Sequence, residues 1–266
     1  MKTFYDNDDV EDLLHGDVYE IPENIKNIKI DVGLAGEAPN SAIWLSETND
    51  RYVFGFEPLV HHWSMLTNFD LAETTRVYPD DFKILQLHDK TIKLNRNIVC
   101  DITNRFTGIR CAIDNVNKIT EMDFYEMDRH LGASGSSSLL PPSNHHPWRL
   151  NDVIKIKTFS LEMFLKNIPW DRFEFIEHIK TDCEGKDFDV VKSIGKYLHK
   201  VVFITSEMTN NRHHVIGSCD PNEFINFMIQ NDFTVSKNYG GNIDFVNNRF
   251  INTDIIKTLN NNTLGF

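Results

Sequence analysis

The feature that most constrains the fold is the stretch of residues 28–58. Apolar and polar residues alternate over residues 28–32, and the chain then turns at Gly33. A second apolar run follows at residues 52–56 and ends at Glu57. Two short apolar runs, separated by a segment of helical length, indicate a strand, a helix and a second strand. This is the pattern of half a nucleotide-binding βαβ unit.

The residues that end these two strands suit a nucleoside ligand. Gly33 lets the backbone approach a ligand because it has no Cβ, and the following helix offers free N–H groups to a carboxylate or phosphate. Glu57 can accept hydrogen bonds from both ribose hydroxyls. The turn contains Asp31, Gly33 and Gly36 as DxGxxG rather than GxGxxG. That favours S-adenosylmethionine, which has no pyrophosphate and carries an ammonium group that suits an acidic turn. The alternative is an ordinary α/β turn followed by a surface glutamate.

The length and charge of the chain indicate how many domains it forms and which partners it can bind. The 266 residues suffice for one large domain, and we expect an N-terminal extension at residues 1–26 and an insertion of uncertain structure at residues 69–108. The formal net charge of −12, without a basic run, argues against a nucleic-acid partner. No apolar run approaches the roughly 20 residues of a transmembrane helix, and the acidic N-terminus is unlike a signal peptide. We therefore expect a soluble cytoplasmic protein with no membrane partner.

Two later segments could contribute to a ligand site. Residues 108–113 have the pattern of a third core strand, and Asp114 after them could accept from an adenine amino group; the alternative is a polar turn. Residues 131–148 are rich in Gly, Ser and Pro and are predicted to be a loop. A loop of this length suggests a lid or binding loop. Ser137 and Ser138 could donate hydrogen bonds to a ligand, although a flexible surface loop would have the same composition.

Carboxylates also follow two apolar strands in the second half of the chain. Asp182 and Glu184 come after one strand, and Glu207 ends the next. Ligands of open α/β sheets bind at the carboxyl ends of strands, so these three acids are candidate site residues. Strand–helix alternation that ends in a hairpin predicts a mostly parallel sheet with an antiparallel edge.

Five motifs occur in order along the chain: DVGLAG, FGFEP, AIDN, GSSSL and IKTDCEG. Together they resemble the FkbM family of S-adenosylmethionine-dependent methyltransferases. Members of that family carry DxG after the first strand, FEP after the second, a serine-rich SSL loop, and KxDxEG after the fourth. The match covers roughly residues 28–250. The chain departs from the family at residues 34–39, where the family has Ala-Asn and a further Gly, and residues 69–108 contain no matching motif.

The resemblance implies a Rossmann-like methyltransferase fold in a single α/β domain, residues 1–266, with a mostly parallel seven-stranded sheet and a C-terminal antiparallel hairpin. It implies a cofactor-binding role for Asp31, Gly33, Gly36, Glu57, Pro58, Asp114, Ser137 and Ser138. Asp31 and Gly33 would shape the pocket for the methionine end. Glu57 would hold the ribose, and Asp114 would face the adenine. Ser137 or Ser138 would close over the cofactor.

The resemblance also implies O-methylation, often of sugar hydroxyls, so a small molecule or glycan is the expected acceptor. Asp182 and Glu184 would lie beside the methyl group, and Asp182 is the first candidate for a base. Alternatively, Asp182 and Glu207 could hold one Mg²⁺ or Mn²⁺, because hard cations prefer oxygen ligands. His213 or His214 could also be the base. The remaining possibility is that Asp182 only caps the end of the strand or positions the substrate.

Two other functions stay open on the sequence. An NAD-dependent sugar oxidoreductase would use a similar nucleoside site, although the missing glycine and the acidic turn count against it. A catalytically inactive glycan-binding module would keep the fold, although Asp31, Glu57 and Asp182 are all retained. The cysteines form no CxxC pair and the histidines no HxxxH pattern, so neither a zinc site nor redox chemistry is predicted.

Overall fold

The part of the chain that the computed structural model describes contains three sheets, of eight, three and two strands. The described residues are 4–36, 38–67, 84–87, 90–93, 104–128, 133–208, 214–239 and 241–256. Most of the predicted insertion at residues 69–108 lies outside them, and so does the alternative base His213.

The helices and strands have the following bounds. The strands are β1 (Phe4–Tyr5), β2 (Asn27–Val32), β3 (Arg51–Phe56), β4 (Ile84–Leu87), β5 (Lys90–Lys93), β6 (Phe106–Ile109), β7 (Ala112–Ile113), β8 (Thr120–Met127), β9 (Leu150–Phe159), β10 (Ile176–Thr181), β11 (Val201–Glu207), β12 (Phe233–Tyr239) and β13 (Asn242–Asn247). The α-helices are α1 (Val10–His15), α2 (Pro39–Glu47), α3 (Val60–Thr67), α4 (Leu161–Leu165), α5 (Asp187–Lys192) and α6 (Pro221–Gln230). The predicted strand–helix–strand unit of residues 28–58 is therefore β2–α2–β3.

The large sheet has the strand order β1-β6-β3-β2-β10-β11-β13-β12. Strand β13 runs antiparallel to both of its neighbours, and the other neighbouring pairs are parallel. The sheet is thus mixed, and its antiparallel part lies in the predicted C-terminal hairpin. The expected number of seven strands is wrong, because the described residues form eight strands in this sheet.

The additional strand is β1, at the edge of the sheet beyond β6. Phe4 and Tyr5 pair with Gly108 and Ile109 of β6. Part of the expected N-terminal extension therefore belongs to the sheet, where it satisfies backbone N–H and C=O groups that an edge strand would leave unpaired. Two other predicted strands, β8 and β9, pair with each other in the three-stranded sheet instead of joining the large one, and β9 also pairs with β7.

The order of the strands creates a switch point in the middle of the sheet. The chain begins the βαβ unit at β2 and continues to β3 and β6 on one side of it. It then crosses to the other side of β2, where β10 and β11 lie. Strands β2 and β10 are neighbours, and the chain leaves them toward opposite halves of the sheet. Ligands of doubly wound sheets bind in the crevice at such a point, outside the carboxyl ends of the strands.

Apolar side chains pack on both faces of the large sheet. On β3, Tyr52 and Phe54 belong to one core cluster and Val53 to another, as the alternation of strand side chains requires. The first cluster contains the buried side chains of α1, α4, α5 and α6, and the second contains those of α2 and α3. Strands β3 and β10 are buried along their whole length, which is typical of strands covered on both faces. None of the helices in the described ranges combines the length and apolarity needed to cross a bilayer.

A buried ion-pair network joins β2, β3 and β10 near their amino ends. Lys29 Nζ lies 3.1 Å from Glu177 Oε1, and Arg51 donates to both oxygens of Glu177, at 3.2 and 3.0 Å. Arg51 also pairs with Glu47 of α2. Burial lowers the pKa of Lys29 to about 8, and the charge of Glu177 opposes that shift. The core holds these charges because each of them is paired.

Candidate functional site

A cavity of about 380 Å³ lies at the carboxyl ends of β2, β3, β10 and β11. Its volume falls within the range of roughly 300–1,000 Å³ that small-molecule sites occupy. The predicted site residues that line it are Gly33, Glu57, Pro58, Ser137, Asp182, Glu184 and Glu207. The cavity therefore brings together residues from four separate strand ends, at the switch point of the sheet.

Gly33 forms the turn that follows β2 and packs directly against the end of β10. Its φ angle is +85°, and a Cβ at this position would lie 2.0 Å from the carbonyl oxygen of Asp182. Its N–H donates to the carbonyl of Phe56 at the end of β3. Only glycine combines this φ angle with so close an approach. The turn thus holds the ends of three strands together at the cavity.

Glu57 joins the β2 turn to the start of α3 and is only 4% exposed. Its Oε2 accepts from the N–H of Ala35 at 2.9 Å, and its Oε1 accepts from the N–H of Leu59 at 3.0 Å. His62 Nδ1 lies 3.4 Å from the same Oε1. A carboxylate has about four lone-pair positions, so Glu57 can accept further donors from a ligand in the cavity.

Asp31 binds the N-terminus of α2 and does not line the cavity. Its Oδ2 accepts from the hydroxyl of Ser41 at 2.7 Å and from the N–H of the same residue at 3.2 Å. Burial raises the pKa of Asp31, and the charge of Lys180 and the bonds from Ser41 oppose that rise. Ala35 lines the cavity beside Gly33, whereas Gly36 does not. The predicted cofactor contacts of Asp31 and Gly36 stay predictions.

Three carboxyl groups meet at the ends of β10 and β11. Thr181 and Ser206 are register partners in these strands, and Asp182 and Glu207 come directly after them. Ligand oxygens of Asp182, Glu184 and Glu207 all lie within 4.8 Å of one another. Strands β10 and β11 are neighbours, as binding of one ion by Asp182 and Glu207 requires. Glu184 is a third member of the cluster and is not part of the predicted metal pair.

The turn that carries Asp182 and Glu184 is held by Asp187. Glu184 and Gly185 both have positive φ angles, of +49° and +98°. The carboxylate of Asp187 accepts from the N–H groups of Cys183 at 3.2 Å and Gly185 at 3.3 Å. The pKa of Asp187 is raised to about 6, first by burial and then by the charge of Asp182. A non-glycine residue in the left-handed region is costly, and such strain is concentrated at functional sites.

The close approach of these acids changes the protonation of Glu207. Its pKa is raised to about 10, first by burial and then by the negative charges of Asp182 and Glu184. At neutral pH the cluster of three acids therefore retains a proton as long as no cation enters it. The three groups can share either a proton or a positively charged partner.

Asp114 and the two serines support the cavity in different ways. Asp114 pairs with Lys186, which lines the cavity, at 2.9 Å, but does not line it itself. Ser137 lines the cavity, and its Oγ accepts from the N–H of Met127. The Oγ of Ser138 donates to the carbonyl of Glu184 at 3.0 Å. The serine-rich segment is thereby bound to the turn of Asp182 and Glu184, as a binding loop would be.

Several cavity residues were not identifiable from sequence patterns. Leu59, Phe124 and Leu139 form an apolar wall that belongs to one small core cluster. Lys180 does not itself line the cavity, but it reaches the ends of both β2 and β10 beside it. The KTDCEG motif could have indicated Lys180, because this residue stands two positions before Asp182 and its side chain points to the same face of the strand. Phe124 comes from the separate three-stranded sheet, and no local pattern indicates that contact.

The remaining candidate base, His214, packs away from the cavity lining. Its ring lies 5.7 Å from that of His146, and its carbonyl accepts from the N–H of Ser143. His214 does not line the cavity. A role for it as base stays a prediction without support from this arrangement.

No protein-family model matches the chain, and no curated protein matches it in sequence. Among solved structures, it is similar to the crystal structure of methyltransferase FkbM from Methylobacillus flagellatus KT, with 12% sequence identity and a TM-score of 0.46. The matched region covers 84% of this chain and 44% of that one, so the chain spans less than half the length of that protein.

Proposed function

We propose that the chain is an S-adenosylmethionine-dependent methyltransferase that methylates a hydroxyl of a sugar or glycan. The observation that carries the proposal is the cavity at the switch point between β2 and β10. On one side of it lie the Gly33 turn and Glu57, and on the other lie three carboxyl groups. This pairing of a nucleoside-type half and an acidic half is what methyl transfer from a nucleoside cofactor to a hydroxyl requires.

The first half of the cavity fits the nucleoside part of such a cofactor. The Glu57 carboxylate is fixed by the N–H groups of Ala35 and Leu59 and still has free lone pairs for ribose hydroxyls. The apolar side chains of Leu59, Phe124 and Leu139 would cover the face of the base. Gly33 leaves room for a ligand to reach the backbone.

The position of Asp31 argues against a dinucleotide. Dinucleotide sites place the pyrophosphate at the N-terminus of the helix that follows the first strand. Here the Asp31 carboxylate already accepts from the N–H and hydroxyl of Ser41, in the first turn of α2. A pyrophosphate at this helix end would meet a negative charge. A sulfonium cofactor places no phosphate there.

The acidic half of the cavity would act on the acceptor. The bound sulfonium supplies an activated methyl group. Asp182 lines the cavity with a side chain that is 43% exposed, so its carboxylate is available to take the proton of the acceptor hydroxyl. A base in this position contributes about 10²–10⁴-fold to a rate, and alignment of the acceptor contributes up to ~7–11 kcal/mol in favourable models.

A divalent cation is the second version of this mechanism. Three carboxyl groups with oxygens within 4.8 Å of one another form a donor set that suits Mg²⁺ or Mn²⁺. Asp182, Glu184 and Glu207 would hold the ion, and Glu207 would then give up its proton. The ion would supply a Lewis acid beside the acceptor. This version and the base version differ in their response to a chelator.

Calorimetric titration of the protein with S-adenosylhomocysteine and with NAD tests the cofactor. We expect saturable binding of S-adenosylhomocysteine, with a dissociation constant in the micromolar range, on the order of −8 kcal/mol, and none of NAD. Binding of NAD alone would instead favour the oxidoreductase. Binding of neither would leave the glycan-binding module as the better hypothesis.

A methyl-transfer screen against monosaccharides and small glycans tests the reaction. It should be run with and without Mg²⁺ or Mn²⁺, on the wild type and on Asp182→Asn. Full turnover by a variant that binds the cofactor normally would exclude Asp182 as the base. Activity that persists in a chelator would exclude the cation.

A further inference from the structure

The ammonium group of Lys180 connects three groups at the two central strand ends. Its Nζ donates to the carbonyl oxygen of Gly33 at 3.1 Å. It also lies 3.3 Å from Asp182 Oδ2 and 3.7 Å from Asp31 Oδ1. One buried cation thus contacts the β2 turn, the acidic half of the cavity and the carboxylate that binds α2.

The register of the strands explains how a single side chain reaches all three groups. Lys180 and Asp31 are partners on neighbouring parallel strands, and Asp182 stands two residues further along β10 on the same face. Lys180 is only 8% exposed. A lysine this deeply buried is stable only where its charge and its donors are matched.

Two explanations fit these contacts. Lys180 could simply neutralise the buried charge of Asp31, which would be a contribution to the fold alone. The contacts with Gly33 and Asp182 indicate more than this, because both residues line the cavity and Asp31 does not. Charge neutralisation does not require an ammonium group that is also bonded to the carbonyl of the turn.

We propose that Lys180 is a positioning residue, which holds the carbonyl of the Gly33 turn in the arrangement that binds the cofactor and keeps the carboxylate of Asp182 beside the acceptor. The proposal rests on the proposed methyltransferase function. The Gly33 peptide is held from both sides, since its N–H donates to Phe56 and its carbonyl accepts from Lys180. Without the ammonium group, the carbonyl loses its donor and the half-exposed Asp182 side chain is free to change rotamer.

The test separates positioning from charge neutralisation by removing both members of the buried pair. Lys180→Met leaves Asp31 without its cation, whereas the double variant Lys180→Met/Asp31→Asn removes both charges. Thermal unfolding reports the fold, and calorimetric titration with S-adenosylhomocysteine reports the site. We expect the double variant to recover most of the thermal stability lost in Lys180→Met, and to bind S-adenosylhomocysteine about tenfold to a hundredfold more weakly than the wild type.

A surface pair provides the matched control. Lys155 and Asp123 form an exposed ion pair on β9 and β8, with Nζ and Oδ1 2.6 Å apart. The double variant Lys155→Met/Asp123→Asn makes the same chemical change outside the cavity, and we expect wild-type affinity from it.

Three other results would contradict the proposal, each for a different reason. If Lys180→Met/Asp31→Asn binds S-adenosylhomocysteine within twofold of the wild type, Lys180 only neutralises Asp31. If this double variant does not fold, Lys180 supports the fold and is not a positioning residue. If the wild type itself does not bind S-adenosylhomocysteine, the proposed function fails, and the role of Lys180 fails with it.

Discussion

Thr181 and Ser206 lie opposite each other at the ends of β10 and β11, with their hydroxyl oxygens 2.9 Å apart. This hydrogen bond joins the two strands at the residues that directly precede Asp182 and Glu207. Asp182 and Glu207 therefore lie side by side at the edge of the sheet, and this places their carboxyl groups close together. The cluster of carboxyl groups in the cavity therefore results from the pairing of β10 with β11 as well as from the acidic residues in the sequence.

Glu57→Gln is expected to weaken binding of S-adenosylhomocysteine by about tenfold to a hundredfold. The carboxylate accepts from the N–H groups of Ala35 and Leu59 with its two oxygens. An amide has only one acceptor oxygen, so one of these N–H groups would face an NH₂ donor. Calorimetric titration measures the change.

The matched control for this substitution is Glu121→Gln, on an exposed position of β8. It makes the same change of charge without touching the cavity, and we expect unchanged affinity. Equal affinity of Glu57→Gln and the wild type would show that Glu57 has no part in binding this ligand.

Gly33→Ala is expected to destabilise the fold by about 3 kcal/mol or more. The new Cβ would lie 2.0 Å from the carbonyl oxygen of Asp182, at a φ angle of +85°. Gly135→Ala is the control, because a Cβ there meets nothing within 4 Å. Its effect should stay within about 0.5 kcal/mol. Denaturant unfolding of both variants measures the difference, and similar midpoints would contradict the close approach of the β2 and β10 turns.

Glu207→Gln is expected to raise the unfolding temperature more at pH 8 than at pH 5. The pKa of Glu207 is about 10 in the folded protein, above its ordinary value of 4.5. The protonated group therefore contributes stability that is fully present below pH ~4.5 and is lost as the pH rises toward ~10. Glutamine resembles the protonated form and does not titrate, so it removes this loss.

The measurement is thermal unfolding of the wild type and Glu207→Gln at both pH values, in a chelator so that no cation neutralises the cluster. A difference between the two proteins of several degrees at pH 8 and almost none at pH 5 is the expected result. The same difference at both pH values would mean that Glu207 is not protonated by its neighbours.

Glu177→Gln is expected to destabilise the protein by about 3–5 kcal/mol. Its carboxylate is the shared partner of Lys29 and Arg51 in the core. An amide would leave Lys29 without this counterion and Arg51 with Glu47 as its remaining partner. Glu174→Gln, three residues earlier at an exposed position, is the matched control, with an expected effect near zero. Guanidinium unfolding compares them, and equal midpoints would show that the buried network does not stabilise the fold.

Local patterns in the sequence were sufficient for features that follow from strand ends. Gly33, Glu57, Asp182 and Glu207 each end or follow an apolar run, and the parallel arrangement brings such ends to one edge of the sheet. Two short apolar runs joined by a turn that contains Gly-Gly likewise predicted the C-terminal hairpin. These are properties of single segments, which periodicity and turn chemistry encode directly.

Contacts between distant segments were not predictable in this way. The place of Asp31 in the turn predicts a cofactor contact, whereas its hydrogen bond with Ser41 at the start of α2 has no signal in the sequence. The place of Asp114 after a strand predicts an adenine contact, whereas its ion pair with Lys186 has no such signal either. The pairing of β1 with the edge strand β6 likewise depends on which backbone groups remain free after the sheet has formed. No periodicity within one segment carries such information.

The buried charges of Lys29, Arg51 and Glu177 have a consequence at the opposite end of the sheet. A slip of one residue between β2 and β10 would separate Lys29 from Glu177 and leave charges unpaired in the core. The same slip would move Asp182 by ~3.3 Å relative to Gly33 and turn its side chain to the other face. The ion pairs at the amino ends of the strands thus fix the register of β2 and β10. The same register sets the positions of Gly33 and Asp182 at the carboxyl ends, where the cavity lies.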